Sequence, residues 1–129
     1  DYVPNFIKEK AFAEKGATLE GAAESLWQFN KAIIDAVYDI VPAIKPQAAY
    51  YEMYGVAGMK AYEETLKYAA EKGLLVIADA KRNDIGSTAS CYAKTFLANE
   101  QVGKSTDSLK VLLNQVKRPL ELQMSRKKQ

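Results

Sequence analysis

The stretch Asp79-Ala80-Lys81-Arg82-Asn83-Asp84 sets two carboxylates and two cations directly after the apolar run Leu74-Leu75-Val76-Ile77-Ala78. Alternation along an extended chain puts Asp79 and Lys81 on the same side. Carboxylates and an ammonium in a half-buried mouth hold one another ionised and create a fixed field. One lysine among two aspartates stays charged and can still deliver a proton to a strongly basic carbanion. Such an arrangement suits proton transfer at carbon without metal or cofactor. The competing reading is a solvated turn whose surface ion pairs are worth ~0–1 kcal/mol. Position adds weight to the first reading, because in open α/β sheets and barrels chemistry gathers where strands end at their carboxyl side. Lys45, between Pro42 and Pro46, ends a second such segment.

Composition removes several other chemistries. The 129 residues are 48% hydrophobic and 26% charged, which is ordinary for one globular domain. No histidine is present, so a Ser-His-Asp triad, a Cys-His dyad and the commonest zinc sites are excluded. One cysteine cannot make an internal bridge, which excludes a disulfide scaffold. No apolar run approaches the ~18–20 residues of a membrane span, and no secretory signal opens the chain. Asp1 in place of Met points to a trimmed, processed or mid-gene start, and a soluble cytoplasmic protein is the expectation. The net charge of +2 hides an asymmetry: residues 1–100 carry 11 basic and 14 acidic side chains, residues 101–129 carry 7 and 2. A shift of that kind marks a tail with its own surroundings or a join between unlike segments.

The elements that must position the charged stretch can be read from periodicity. Residues 1–17, with Pro4 and Gly16, read as a loop with one short helix. Leu19, Ala22, Leu26, Phe29, Ile33, Val37 and Ile40 recur at helical spacing, predicting a helix over 18–40 with Thr18 as N-cap and Pro42 as stop. Residues 42–50 suit a strand whose end opens into a loop. A second helix follows Gly55 with Val56, Met59, Tyr62, Leu66 and Ala69 inward, ending at Lys72-Gly73 with glycine in the left-handed position. Leu74 to Ala78 reads as a strand buried on both faces, as in a parallel sheet. Ser87 or Thr88 is expected to cap a third helix with Ala89, Tyr92, Ala93 and Phe96 inward. The alternation of helices and two strands predicts an α/β fold with parallel βαβ units. Beyond residue 98 the pattern changes to a polar stretch, an amphipathic helix through Leu109, Leu112, Leu113 and Val116, and a basic end.

Asp79-Ala80-Lys81-Arg82-Asn83-Asp84-Ile85-Gly86-Ser87-Thr88 resembles the Asp-x-Lys-x-x-Asp-Ile signature of the orotidine 5′-phosphate decarboxylases. Ile40-Val41-Pro42-Ala43-Ile44-Lys45-Pro46-Gln47, Tyr51-Glu52-Met53-Tyr54-Gly55 and Thr18-Leu19-Glu20-Gly21-Ala22-Ala23 resemble the bacterial, longer-chain branch of that family, in the right order over about residues 2–98. The resemblance implies part of a (β/α)₈ TIM barrel over residues 1–98, with 99–129 an unaligned basic segment. It implies a homodimer that converts the nucleotide orotidine 5′-phosphate to uridine 5′-phosphate and CO₂, in pyrimidine biosynthesis, with no cofactor and no metal. Carried over by position, Lys81 protonates C6 as CO₂ leaves and Asp79 sits beside the substrate carboxylate. Asp84 completes the charged array from across the dimer interface, and Thr88 reaches the ribose from the same side. Lys45 supports Asp79 and the ribose hydroxyls. The family's first strand is expected ahead of Asp1 and its later, phosphate-binding strands after residue 98. A barrel takes about 200–250 residues, so a chain of this length by itself is expected to show no measurable decarboxylation.

Other residues invite weaker readings. Cys91 is expected to be a buried, inert thiol, and Tyr50, Tyr51 and Tyr54 to pack around the strand end instead of stacking on a base. The glycines do not make a phosphate loop. Lys117-Arg118 and Arg126-Lys127-Lys128 read as a solvated tail in preference to a nucleic-acid contact. The alternative to an enzyme is a catalytically inactive truncated or chimeric half-barrel that serves as an assembly or binding module.

Overall fold

A computed structural model describes residues 2–97 of the chain. Helices and two short strands alternate: α1 (Asn5–Lys15), α2 (Leu19–Val37), β1 (Ala43–Ile44), α3 (Ala49–Glu52), α4 (Gly55–Glu71), β2 (Leu75–Val76) and α5 (Gly86–Leu97). The strands pair in parallel, Ala43 with Leu75 and Ile44 with Val76, and α3 and α4 form the crossover between them. The amphipathic helix and basic end expected after residue 98 lie outside the described residues.

Local chemistry explains most boundaries. Pro4, at φ −58°, precedes the first turn of α1, where a missing N–H costs nothing. The segment expected to be mostly loop is therefore mostly helix, eleven residues long. Thr18 caps α2: its Oγ1 accepts from the backbone N–H of Gly21 at 3.1 Å. That helix ends at Val37, three residues short of the expected end. At the end of α4, Gly73 adopts φ +83° and donates to Ala70 O (2.9 Å) while Leu74 N donates to Ala69 O (3.0 Å). This pair of bonds satisfies the last carbonyls and turns the chain into β2.

The core lies between α2, α4 and one face of the strands. Leu74, Val76, Ile34 and Ala69 form one buried group; Ala23, Ala48, Tyr51, Ala61, Tyr62, Ala78 and Ala80 form another. Burial along 74–80 alternates, with Leu74, Val76, Ala78 and Ala80 buried and Leu75 37% exposed. The expectation of a strand buried on both faces is corrected: among the described residues only the even-numbered face is fully buried, by the helices, while on the other face Leu75 is exposed and Ile77 half-buried. The inward face of α2 is also rotated from the expected stripe, to Ala23, Trp27, Asn30 and Ile34, leaving Leu19, Ile33 and Ile40 exposed. On α4, Val56 is exposed while Gly58, Ala61, Tyr62, Thr65 and Ala69 face inward.

Three further expectations fail locally. Residues 49–52 form the one-turn helix α3 where a loop was expected. Ser87 and Thr88 lie inside the first turn of α5 and do not cap it. Cys91 is exposed, not buried, because α5 turns Ala89 inward and Cys91 away.

Candidate active site

The odd-numbered face of the β2 segment leads to the charged stretch, and the backbone there is well fixed. Beyond β2 the parallel pairing resumes at Gln47 and Asp79. Asp79 N donates to Pro46 O at 3.1 Å, and Ala48 N donates to Asp79 O at 3.0 Å. Asp79 is thus held by the segment that leaves β1, on the less buried side of the sheet.

Lys81 Nζ lies 2.6 Å from Asp79 Oδ1. The Asp79 side chain is 14% exposed and that of Lys81 63% exposed, so the pair runs from a shielded carboxylate to an open ammonium. Lys81 has φ +50°, the one non-glycine residue among those described with a positive φ. Such a conformation crowds Cβ against the following carbonyl and persists where neighbours enforce it. It also brings the lysine back toward the aspartate two residues before it.

The remaining sequence-predicted residues are not drawn into this pair. Asp84 is exposed, and its Oδ1 accepts from Ile85 N at 2.7 Å. Lys45 is exposed at the end of β1 and makes no ion pair or side-chain hydrogen bond among the described residues. Thr88 is exposed on the first turn of α5. Asp79 and Lys81 come together within this chain; among the described residues Lys45, Asp84 and Thr88 form no ion pair or hydrogen bond with either.

Tyrosines expected to pack here support the site from behind, together with Asn30, Gly58 and Thr65, which sequence reasoning passed over. Tyr51 is buried and meets Tyr62 edge-on, ring centroids 5.0 Å apart. Asn30 Nδ2 donates to Tyr51 Oη at 2.8 Å and lies 3.2 Å from Thr65 Oγ1, which donates to Ala61 O at 2.7 Å. This network ties α2, α3 and α4 together beneath the loop that follows β1. Gly58 is required here, since a Cβ on it would fall 1.9 Å from Tyr51 O. The Tyr62 hydroxyl is buried without a hydrogen-bond partner among the described residues. Burial first, then Tyr51 and the charge of Asp79, push its pKa well above the ordinary phenol value. Tyr50 is exposed, so of the three clustered tyrosines Tyr51 carries the packing that was expected of them all. The one available signal was Asn30 and Thr65, polar residues set among apolar neighbours at helical spacing.

A family model for the orotidine 5′-phosphate decarboxylase / HUMPS family matches residues 23–108 of this chain. The chain belongs to that family. An orotidine 5′-phosphate decarboxylase of Clostridium tetani is 46% identical over 94 residues, which is 73% of this chain and 30% of the relative. One of Petrotoga mobilis is 43% identical over 100 residues, covering 78% of this chain and 32% of the relative. A crystal structure described as an orotidine 5′-phosphate decarboxylase from Streptomyces avermitilis superposes with a TM-score of 0.60 at 27% identity, over 85% of this chain and 47% of that one. The fold of this family member is therefore α/β, part of a (β/α)₈ barrel, with its two parallel strands and flanking helices in place. The chain spans about 30% of the length of the curated relatives it matches. No described helix is long and apolar enough to cross a membrane.

Proposed function

We propose that a complete barrel containing this chain decarboxylates orotidine 5′-phosphate to uridine 5′-phosphate. The observation that carries this reading is the Asp79–Lys81 pair, 2.6 Å apart at the carboxyl end of β2 and open to the less buried side of the sheet. In the reaction the bond from C6 to the carboxyl carbon breaks, CO₂ departs, and the electron pair stays on C6. The Lys81 ammonium supplies the proton that quenches it. Asp79 lies beside the departing carboxylate and holds the Lys81 ammonium in position until the transfer. A field fixed before substrate arrives needs no reorganisation at the moment of reaction, which is where charged arrays gain most.

Asp84 and Thr88 support a shared site. Both are exposed and form no ion pair or hydrogen bond with the pair within their own chain, which leaves them open to a neighbouring subunit. The working unit in this reading is a homodimer in the cytoplasm, with Asp84 completing the partner's array, Thr88 reaching the ribose, and Lys45 turning in to support Asp79 and the ribose hydroxyls when substrate is bound. The groups that act are side chains of the protein itself, so no cofactor is called on.

The test is Lys81→Ala in a complete barrel containing this chain. Turnover of orotidine 5′-phosphate should fall by several orders of magnitude while binding of uridine 5′-phosphate changes far less, because proton delivery matters mainly in the transition state. Turnover within tenfold of wild type would remove Lys81 from the role.

A further inference from the structure

We infer that Glu52 and Arg82 form a clamp that positions Lys81, a role resting on the decarboxylase reading above. Four observations converge on it. Lys81 holds a left-handed backbone that a lysine adopts only when its surroundings impose it. Arg82, the next residue, donates from Nη1 to the carbonyl of Ala80 at 2.8 Å, so its side chain folds back across the left-handed residue and closes the loop. Its other terminal nitrogen, Nη2, pairs with the Glu52 carboxylate. Glu52 ends α3, an element itself anchored by the buried Tyr51 ring and by the Gly58 close approach.

The clamp therefore joins the loop after β2 to the loop after β1. On one side Ala80 is buried in the core beside Ala78 and Tyr62, which fixes the residue before Lys81. On the other side the guanidinium fixes the residue after it. Between two fixed neighbours Lys81 has little freedom, and its ammonium is delivered to Asp79 Oδ1. Arginine suits this task because its planar fork makes both contacts at once, one to a carbonyl and one to a carboxylate. A lysine at 82 would supply the charge without the second contact.

Neither Glu52 nor Arg82 is placed on the substrate, so the clamp acts through Lys81. Its loss should slow the proton-delivering step and leave nucleotide binding largely alone. The test compares Arg82→Lys, Glu52→Gln and the double variant in a complete barrel containing this chain. The expected result is a fall in kcat of roughly tenfold to a hundredfold for each single variant, with KM for orotidine 5′-phosphate within about threefold of wild type. The double variant should be no worse than the more damaged single variant, since both break one device. In a crystal structure of Arg82→Lys without substrate, Lys81 should leave the left-handed region and lose its contact with Asp79.

Two results overturn the clamp: kcat within about threefold of wild type in both single variants, or Lys81 still left-handed and paired with Asp79 in the Arg82→Lys structure. Failure of the decarboxylase reading looks different, because the unsubstituted barrel would then not turn over. The substrate-free structure would still decide whether Glu52 and Arg82 hold Lys81. Both side chains are about a third exposed, so either substitution leaves the core intact.

Discussion

Two aspartates in this chain receive lysine ammoniums, and their surroundings differ in a way that separates support from chemistry. Asp35 takes three donors from two helices and their ends: Lys31 Nζ at 3.0 Å, Lys72 Nζ at 2.8 Å and the Tyr68 hydroxyl at 2.5 Å. The two lysines also lie over aromatic rings, Lys31 at 4.8 Å from the Tyr68 centroid and Lys72 at 4.9 Å from that of Tyr38. Each charge there is answered by an opposite one or an aromatic face. Asp79 takes one donor, Lys81, from its own loop, and that lysine is mostly exposed and held in an unfavourable backbone conformation. A carboxylate filled from all sides rivets helices together. One with unused acceptor capacity among the described residues, beside a constrained and open ammonium, has the geometry that the proposed reaction asks of its site.

The largest effect that sharpens this contrast concerns how the site is completed. If Asp84 serves the neighbouring subunit, Lys81→Ala and Asp84→Ala proteins should complement each other. At equal mixing and full exchange, half the dimers are hybrids with one intact site each, so activity should recover to about a quarter of wild type. Either variant alone should remain nearly inactive. Mixed proteins that exchange subunits, shown by mass spectrometry of tagged dimers, yet stay inactive would confine the site to one chain.

The contrast also explains what could be read from sequence. Periodicity located the second and fourth helices and Gly73, because amphipathic spacing and a left-handed glycine are local signals. It misjudged part of the inward face of α2, since Leu19, Ile33 and Ile40 outrank Ala23 and Asn30 in hydrophobicity yet lie exposed, while Leu26 does pack on the core. It read Leu74 to Ala78 as buried on both faces because apolar residues fill both; that only one is fully buried among the described residues is a property of the surrounding chain, invisible in the strand itself. Asp79 and Lys81 were legible because they lie two residues apart after an apolar run. The Glu52–Arg82 pair was not, because thirty residues and a crossover separate its halves.

A smaller effect sets the buried polar groups behind Asp79 against each other. Asn30→Ala strands the Tyr51 hydroxyl and removes one of the two partners of Thr65, and should cost about 1–3 kcal/mol in urea unfolding, the penalty of leaving a buried polar group unpaired. Tyr62→Phe deletes a hydroxyl that has no partner among the described residues, and should leave stability unchanged or raise it. A loss above about 1 kcal/mol for Tyr62→Phe would show that its hydroxyl is bonded after all. Equal effects of the two substitutions would remove the network from any role in holding α3.

The smallest effect belongs to Asp35, and it appears in pH dependence instead of in overall stability. Hydrogen bonds from Lys72 first, then Tyr68 and Lys31, hold its carboxyl well below the ordinary value of 3.8. The same contacts, with Asp35 foremost, push Lys72 up to about 12. As pH falls, the unfolded chain takes up its proton near 3.8 while the folded one still resists. The contribution of Asp35 is therefore full above about pH 4–5 and is lost as pH drops through the lowered folded value. The Lys72 contribution runs the other way, full below about 10.5 and lost as pH rises toward 12. Both groups lie at the surface, where salt screens them and the gain is modest. Asp35→Asn should lower the Tm slightly near neutrality, and the gap to the original protein should close as pH falls toward about 2. Thermal scans at low ionic strength across that range measure it. A gap that stays constant with pH would mean that Asp35 acts by shape and hydrogen bonding alone, and the contrast with Asp79 would then rest on geometry without charge.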